Sequence, residues 1–226
     1  MAWAVLPVMD GIAKHLSTEM HFLEVVWGRY FFMVVISVPI TFVFFKKHLS
    51  WPKNINIQLA RSIFLFLSTI LFFYAISVIS LAESLTLAFV SPLIVTLLSA
   101  ILLKEQVGYR RWTAVIIGFI GAIIVIRPGF NEISLATFAG LGTGIAYAFY
   151  VISTRKLSSL DSPLLTLIFT GLSGAIIISI IVPFVWITPN YTQWLFLIGL
   201  AAVGTLGHFL LILSLNFAEA DRKSLA

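Results

Sequence analysis

The chain has 226 residues, of which 60% are hydrophobic and only 10% charged, with a formal net charge of +5 and no cysteine. A soluble domain carries about 25% charged residues, so these charges are too few to cover a water-facing surface, and lipid must cover it instead. The basic excess lies in short clusters between apolar runs, which excludes a nucleic-acid-binding groove, and the missing cysteines exclude a disulfide framework or thiolate metal site.

The N-terminus opens on Ala2-Trp3-Ala4-Val5-Leu6, with neither the basic stretch nor the cleavage site of a signal peptide, and reads as a helix over 1–16. Crossing a ~30 Å hydrocarbon core takes about 20 apolar residues. Windows of that kind predict further helices at 21–45, 62–82, 84–103, 109–126, 133–154, 163–186 and 192–214. Ser162 to Ala218 carries no Asp, Glu, Lys or Arg and is long enough for two spans, broken at Trp186–Gln193 by Pro189 and Asn190. Apolar residues on every face exclude a membrane barrel. The expectation is an all-α membrane protein with about eight transmembrane helices.

The cations orient it. Lys46, Lys47, Lys53, Arg61, Lys104, Arg110, Arg111, Arg155, Lys156, Arg222 and Lys223 fall on one side, and only Lys14 and Arg127 on the other. The positive-inside rule makes the richer side cytoplasmic. This predicts a protein of the cytoplasmic (inner or plasma) membrane, with the full-length termini in the cytoplasm.

The sequence also repeats. Phe72–Ser84 can be laid on His208–Ala220, with Phe73/Phe209, Ile76/Ile212, Ala82/Ala218 and Glu83/Glu219 coinciding, and Lys14-His15-Leu16-Ser17 matches Arg155-Lys156-Leu157-Ser158. Together the matches place the sixth helix on the first and the eighth on the third, a unit of five helices. An odd unit inverts the second copy, the arrangement of secondary transporters with a midplane substrate site. The expected whole is a ten-helix bundle of two inverted five-helix repeats, truncated at both ends. Its first repeat is 1–127 with an incomplete first helix, and its second is 128–226 with helices nine and ten missing.

The run Tyr74–Leu93, then Leu103-Lys104-Glu105, Gly118-Phe119-Ile120-Gly121 and Arg127-Pro128-Gly129, resembles the EamA-type drug/metabolite transporter superfamily. Met9–Leu16, together with Phe22-Leu23-Glu24-Val25 and Arg29-Tyr30-Phe31-Phe32, is most similar to its S-adenosylmethionine uptake branch, while riboflavin and amino-acid carriers share parts of the pattern. The resemblance implies ten helices in two inverted repeats, cytoplasmic termini and a central substrate cavity. Such a protein moves a small organic metabolite of the S-adenosylmethionine-like, amino-acid or vitamin class by alternating access. It is not an enzyme and needs no cofactor or metal. Proton or ion coupling, and a homodimer, stay open as partners beside substrate and lipid.

The candidate site residues are those out of place in lipid. Asp10, Lys14, Glu24 and Arg29 carry charge at membrane depth, where each costs about 2.5–3.5 kcal/mol unless paired or wet. Counted along an antiparallel hairpin, Asp10 and Arg29 lie at one level, which predicts either a structural ion pair or a mouth for a charged substrate. Asp10 and Lys14 share a helix face, with Lys14 reaching for the interface. Pro92 breaks a backbone bond that Ser91 is placed to restore. Tyr74, Tyr147 and Tyr150 are candidates to stack on a planar ligand, and His208 is a candidate ligand or proton carrier. Paired glycines at 118/121, 140/142/144, 171/174 and 199/204/207 predict close helix packing. Two other classes compete with transport. One is an intramembrane serine protease built on Gly171-Leu172-Ser173-Gly174 with His208 as base; the other is a non-transporting structural membrane protein.

Overall fold

Polar caps mark where apolar runs become helices in the computed structural model. It describes residues 2–44, 51–102, 107–126, 134–158 and 160–224, with side chains except at 2–4, 122, 125, 126 and 218–224. Lys46, Lys47, Lys104 and Arg127, and with them the segments 103–105 and 127–129, lie outside the described residues, as do the side chains of Arg222 and Lys223.

After α1 (Ala2–Leu16), α2 (Phe22–Phe44) opens where the Glu24 carboxylate accepts from His21 N at 3.1 Å. Asn54 caps α3 (Ile55–Val78) by accepting from Ile57 N, and Ser80 caps α4 (Leu81–Ala88) by accepting from Glu83 N. The chain continues through α5 (Val90–Leu102), α6 (Tyr109–Ile126) and α7 (Leu135–Ser158). Ser162 caps α8 (Pro163–Ile181), whose proline takes the first helical position, where no N–H is needed. A 3-10 turn, Val182–Phe184, leads to α9 (Tyr191–Ser224). There Asn190 and Gln193 cap each other reciprocally at 2.9 Å.

Counting α4 and α5 as one rod, the described residues form eight helical rods at the eight predicted places. Six of them are long and apolar enough to cross a membrane: α2, α3, α4–α5, α7, α8 with its 3-10 turn, and α9 through Phe217. The remaining two are shorter, α1 with 15 residues and α6 with 18. The described residues contain no strand. Val35 and Phe42 on α2, Ile176 and Ile180 on α8, and Ile117 and Ile124 on α6 are exposed apolar side chains, as lipid contact requires.

The last helix, α9, runs to Ser224, ten residues past its expected end at 214, and two further elements differ from the sequence expectation. The third helix starts at Ile55, seven residues early, and takes Arg61 inside it with no exposure at all. Arg61 is therefore not a surface cation of the basic face. A charge stays inside a span when neighbouring helices satisfy it, and four partners here do so. The fourth rod breaks at Phe89, ahead of Pro92. The proline lacks an N–H for the Ala88 carbonyl and its ring crowds that carbonyl, so the break falls one turn upstream. Helix α7 presses into the gap. A Cβ on Gly144 would stand 2.8 Å from Ala88 O and 3.2 Å from Ser91 N.

The core joins Met9, Ala13 and Leu16 of α1 with Val26 and Tyr30 of α2, Phe73 and Ile76 of α3, Ile178 of α8, and Leu197, Leu200 and Ile212 of α9. Helix α1 lies along α9, and α7 along α3; α2 packs on α8 and α9, and α8 also packs on α3. Small residues make the approaches close. Gly174 faces the Tyr30 ring, Gly140 faces Leu87, and Gly207 faces Leu6. Gly118, Gly121 and Gly199 have nothing within 4 Å of an added Cβ, so among the described residues they serve no packing contact.

Buried carboxylates clasp the helix starts to distant loops. Glu24 accepts from Ile187 N in the segment ahead of α9. Asp161, ahead of α8, accepts from Lys53 N at 2.9 Å, in the segment ahead of α3, and from Gln58 at 3.0 Å.

Candidate functional site

A cavity of about 420 Å³ lies among α1, α2, α3, α4–α5, α7 and α9. That is the size of an ordinary metabolite site. Leu6, Met9, Leu65, Phe72, Leu85 and Phe89 make it mostly apolar, and Ser68, Thr69, Ser91 and Thr143 add small hydroxyls. Its ionisable wall is Asp10 from α1, Arg29 from α2 and His208 from α9.

Arg29 is 5% exposed and firmly held. Its Nη1 donates to Thr69 Oγ1 at 2.6 Å, and its Nη2 to His208 Nε2 at 2.7 Å. The Thr69 hydroxyl gives its own proton to Leu65 O at 2.8 Å, so its oxygen is free to accept from Arg29 and also from Tyr30 OH at 3.1 Å. The guanidinium carbon lies 5.3 Å from the Tyr30 ring centre and 5.7 Å from that of Phe73.

The network continues toward the α3 N-terminus. His208 Nδ1 is 3.4 Å from Tyr150 OH, which also receives Arg61 Nη2 at 3.4 Å. Arg61 further donates to Thr154 Oγ1 at 2.8 Å, Thr166 O at 3.1 Å and Thr170 Oγ1 at 2.6 Å, with its guanidinium 4.9 Å over the Tyr150 ring. All these partners are neutral.

Of the sequence-selected residues, Asp10, Arg29, Ser91, Pro92, Tyr147 and His208 line this one cavity. The Tyr147 hydroxyl is buried without a partner, an open hydrogen-bonding group. Lys14 and Tyr74 lie elsewhere. Lys14 Nζ donates to Ile76 O and Ile79 O at the end of α3, where a cation satisfies terminal carbonyls. It is held at that helix end and does not pair with Asp10. Tyr74 packs its ring 5.5 Å from Phe22. The predicted Asp10–Arg29 ion pair is not made by direct contact: no nitrogen of Arg29 lies within 4 Å of the Asp10 carboxylate, and Arg29 acts on it only through its charge at longer range. Arg29 satisfies two donors on neutral groups, which leaves Asp10 facing the cavity. Glu24 is buried as a cap, not in the site.

Both ring nitrogens of His208 are engaged, with Arg29 and Tyr150, so His208 and Ser173 do not form a nucleophile–base pair. Sequence reasoning missed Ser68, Thr69 and Thr143 on the wall and Arg61 below it. A signal was present: Gln58, Arg61, Leu65, Ser68, Thr69 and Phe72 recur at helical spacing and form a partly polar stripe on an otherwise apolar helix.

Known proteins bear on this geometry. The pattern of the EamA-like transporter family matches residues 1–127. The S-adenosylmethionine uptake transporter of Rickettsia bellii (strain RML369-C) is 24% identical over 211 residues, covering 93% of this chain and 72% of the relative. The riboflavin transporter of Vibrio cholerae is 32% identical over 147 residues, covering 62% of this chain and 47% of the relative. The pseudopaline exporter CntI of Pseudomonas aeruginosa is 24% identical over 221 residues, covering 94% and 75%. A solved crystal structure shares the fold with a TM-score of 0.71 at 15% identity, over 95% of this chain and 79% of the other. With more than half of its length matched, this membrane-spanning helical chain belongs to the EamA-like transporter family.

Proposed function

We propose that the protein carries a small zwitterionic metabolite, of the amino-acid or S-adenosylmethionine-like class, across the cytoplasmic membrane by alternating access. The observation that carries this reading is a metabolite-sized apolar cavity with Asp10 and Arg29 on its wall and no ion pair between them. An unpaired carboxylate and a guanidinium at membrane depth are costly, and a ligand bearing both opposite charges offsets them. Its ammonium or sulfonium meets Asp10 and its carboxylate meets the Arg29 fork, while its body rests on Phe72, Phe89 and Tyr147.

Alternating access rests on two inverted halves, 1–127 and 128–226. Helix packing supports them. If the sixth and eighth helices repeat the first and third, then α1 on α9 corresponds to α7 on α3, and α2 on α9 to α8 on α3. The clasps correspond as well, Glu24 to the loop before α9 and Asp161 to the loop before α3. The cation bias puts Asp161 on the cytoplasmic side.

A flavin is the second reading, favoured by the 32% identity to a riboflavin transporter and by the aromatic wall. Thermal melting of the purified protein against S-adenosylmethionine, amino acids and riboflavin separates the two. A ligand at about 100 times its Kd stabilises the folded state by about 2.7 kcal/mol, a shift of several degrees. Stabilisation by a zwitterion and not by riboflavin is expected. Stabilisation by riboflavin alone, or by none of them, overturns the zwitterion reading.

A further inference from the structure

We infer that His208 is a positioning residue, a neutral hydrogen-bond acceptor that fixes the Arg29 guanidinium on the cavity wall. A guanidinium has five N–H donors and no acceptor, so at 2.7 Å the His208 Nε2 must present its lone pair to Arg29. The proton of the neutral ring is then on Nδ1, directed at Tyr150 OH. Arg61 donates to the same Tyr150 oxygen from the other side. The array Arg29–His208–Tyr150–Arg61 thus has a fixed polarity, its two cations pointing hydrogens inward. A second proton on His208 would leave Arg29 facing an imidazolium, so His208 does not serve as a proton carrier in this conformation.

The surroundings agree. Of the groups near His208, α2 offers Arg29 and Tyr30, α7 offers Tyr147 and Tyr150, and α3 offers Arg61 beyond Tyr150; Asp10 of α1 shares the cavity, and none makes an ion pair with His208. One turn before His208 on α9, Gly204 lets Met9 of α1 close in beside Arg29, since a Cβ there would meet the Met9 sulfur at 2.7 Å. Thr69 holds the other end of the fork. Two neutral acceptors therefore fix the orientation of Arg29 without cancelling its charge. That is what a site for an anionic group needs, and in this respect the inference rests on the proposed substrate reading.

Two ligand-independent measurements test it. Nitrogen-15 spectra of histidine-labelled protein identify His208 as the ring signal lost in His208→Gln. The expected signal is a neutral ring protonated at Nδ1 and bare at Nε2; an imidazolium, or a proton on Nε2, overturns the inference. The chain has no cysteine, so Ser91→Cys places a single thiol on the cavity wall. The ratio of its reaction rates with an anionic and a cationic methanethiosulfonate then reports the local field of Arg29. His208→Ala is expected to lower that ratio about fivefold, as Arg29→Gln does, while His208→Gln, which keeps an acceptor, stays within about twofold. A ratio that falls with Arg29→Gln but not with His208→Ala sinks the positioning role and leaves the cavity reading standing. If the ring is neutral as assigned but neither substitution moves the ratio, Arg29 does not face the cavity, and the substrate reading falls together with the positioning role.

Discussion

Arg29→Gln is expected to lower transport, measured as kcat/KM in proteoliposomes at equal protein, by about 100-fold or more. Truncating one partner of a buried, hydrogen-bonded charge contact costs about 2–5 kcal/mol, which spans that factor. Arg29 is 5% exposed, and both ends of its fork are held, by Thr69 and His208, so its loss is not replaced by water. The glutamine retains a donor for one of these partners, which keeps the fold while removing the charge. Arg29→Lys separates charge from geometry. A lysine keeps the cation but has no planar fork, so an intermediate loss is expected, carried by KM. Full activity in Arg29→Gln would remove the cavity from the transport path.

Gly174→Val is expected to destabilise the protein by about 3 kcal/mol or more and to abolish transport with it. Helices α2 and α8 touch at this glycine, where any Cβ enters the Tyr30 ring. That ring has nowhere to go. It is fully buried, and its hydroxyl is tied to Thr69, which in turn holds Arg29. Displacing it disturbs the core and the site together. A melting temperature unchanged from the parent protein would show that α2 and α8 do not pack as described.

The apolar runs alone foretold the eight rods, because lipid leaves a backbone few options besides helices. Depth counted along the first hairpin set Asp10 and Arg29 at one level, and both reach the same cavity. Their pairing was not legible, since the partners that intervene, Thr69 of α3 and His208 of α9, come from helices 40 and 179 residues away. Arg61 was misplaced for a related reason. Hydropathy treats a cation as a sign of water, whereas Thr154, Thr166, Thr170 and Tyr150 solvate this one inside the bundle. The acceptors of Lys14 were hidden likewise: they are carbonyls at the end of α3, and a sequence does not say which helix end lies beside a lysine. The break at Phe89 follows from Pro92 once the i−4 carbonyl is considered, but its depth against Gly144 is a matter of packing.

Passage of a zwitterionic metabolite through the cavity between Asp10 and Arg29 is measured by uptake of radiolabelled S-adenosylmethionine and amino acids into proteoliposomes. Saturable uptake of at least one of them above that of protein-free vesicles is expected, lost in Asp10→Asn at equal protein. Uptake by Asp10→Asn at the parent rate, or none above protein-free vesicles for any of these compounds, would contradict it.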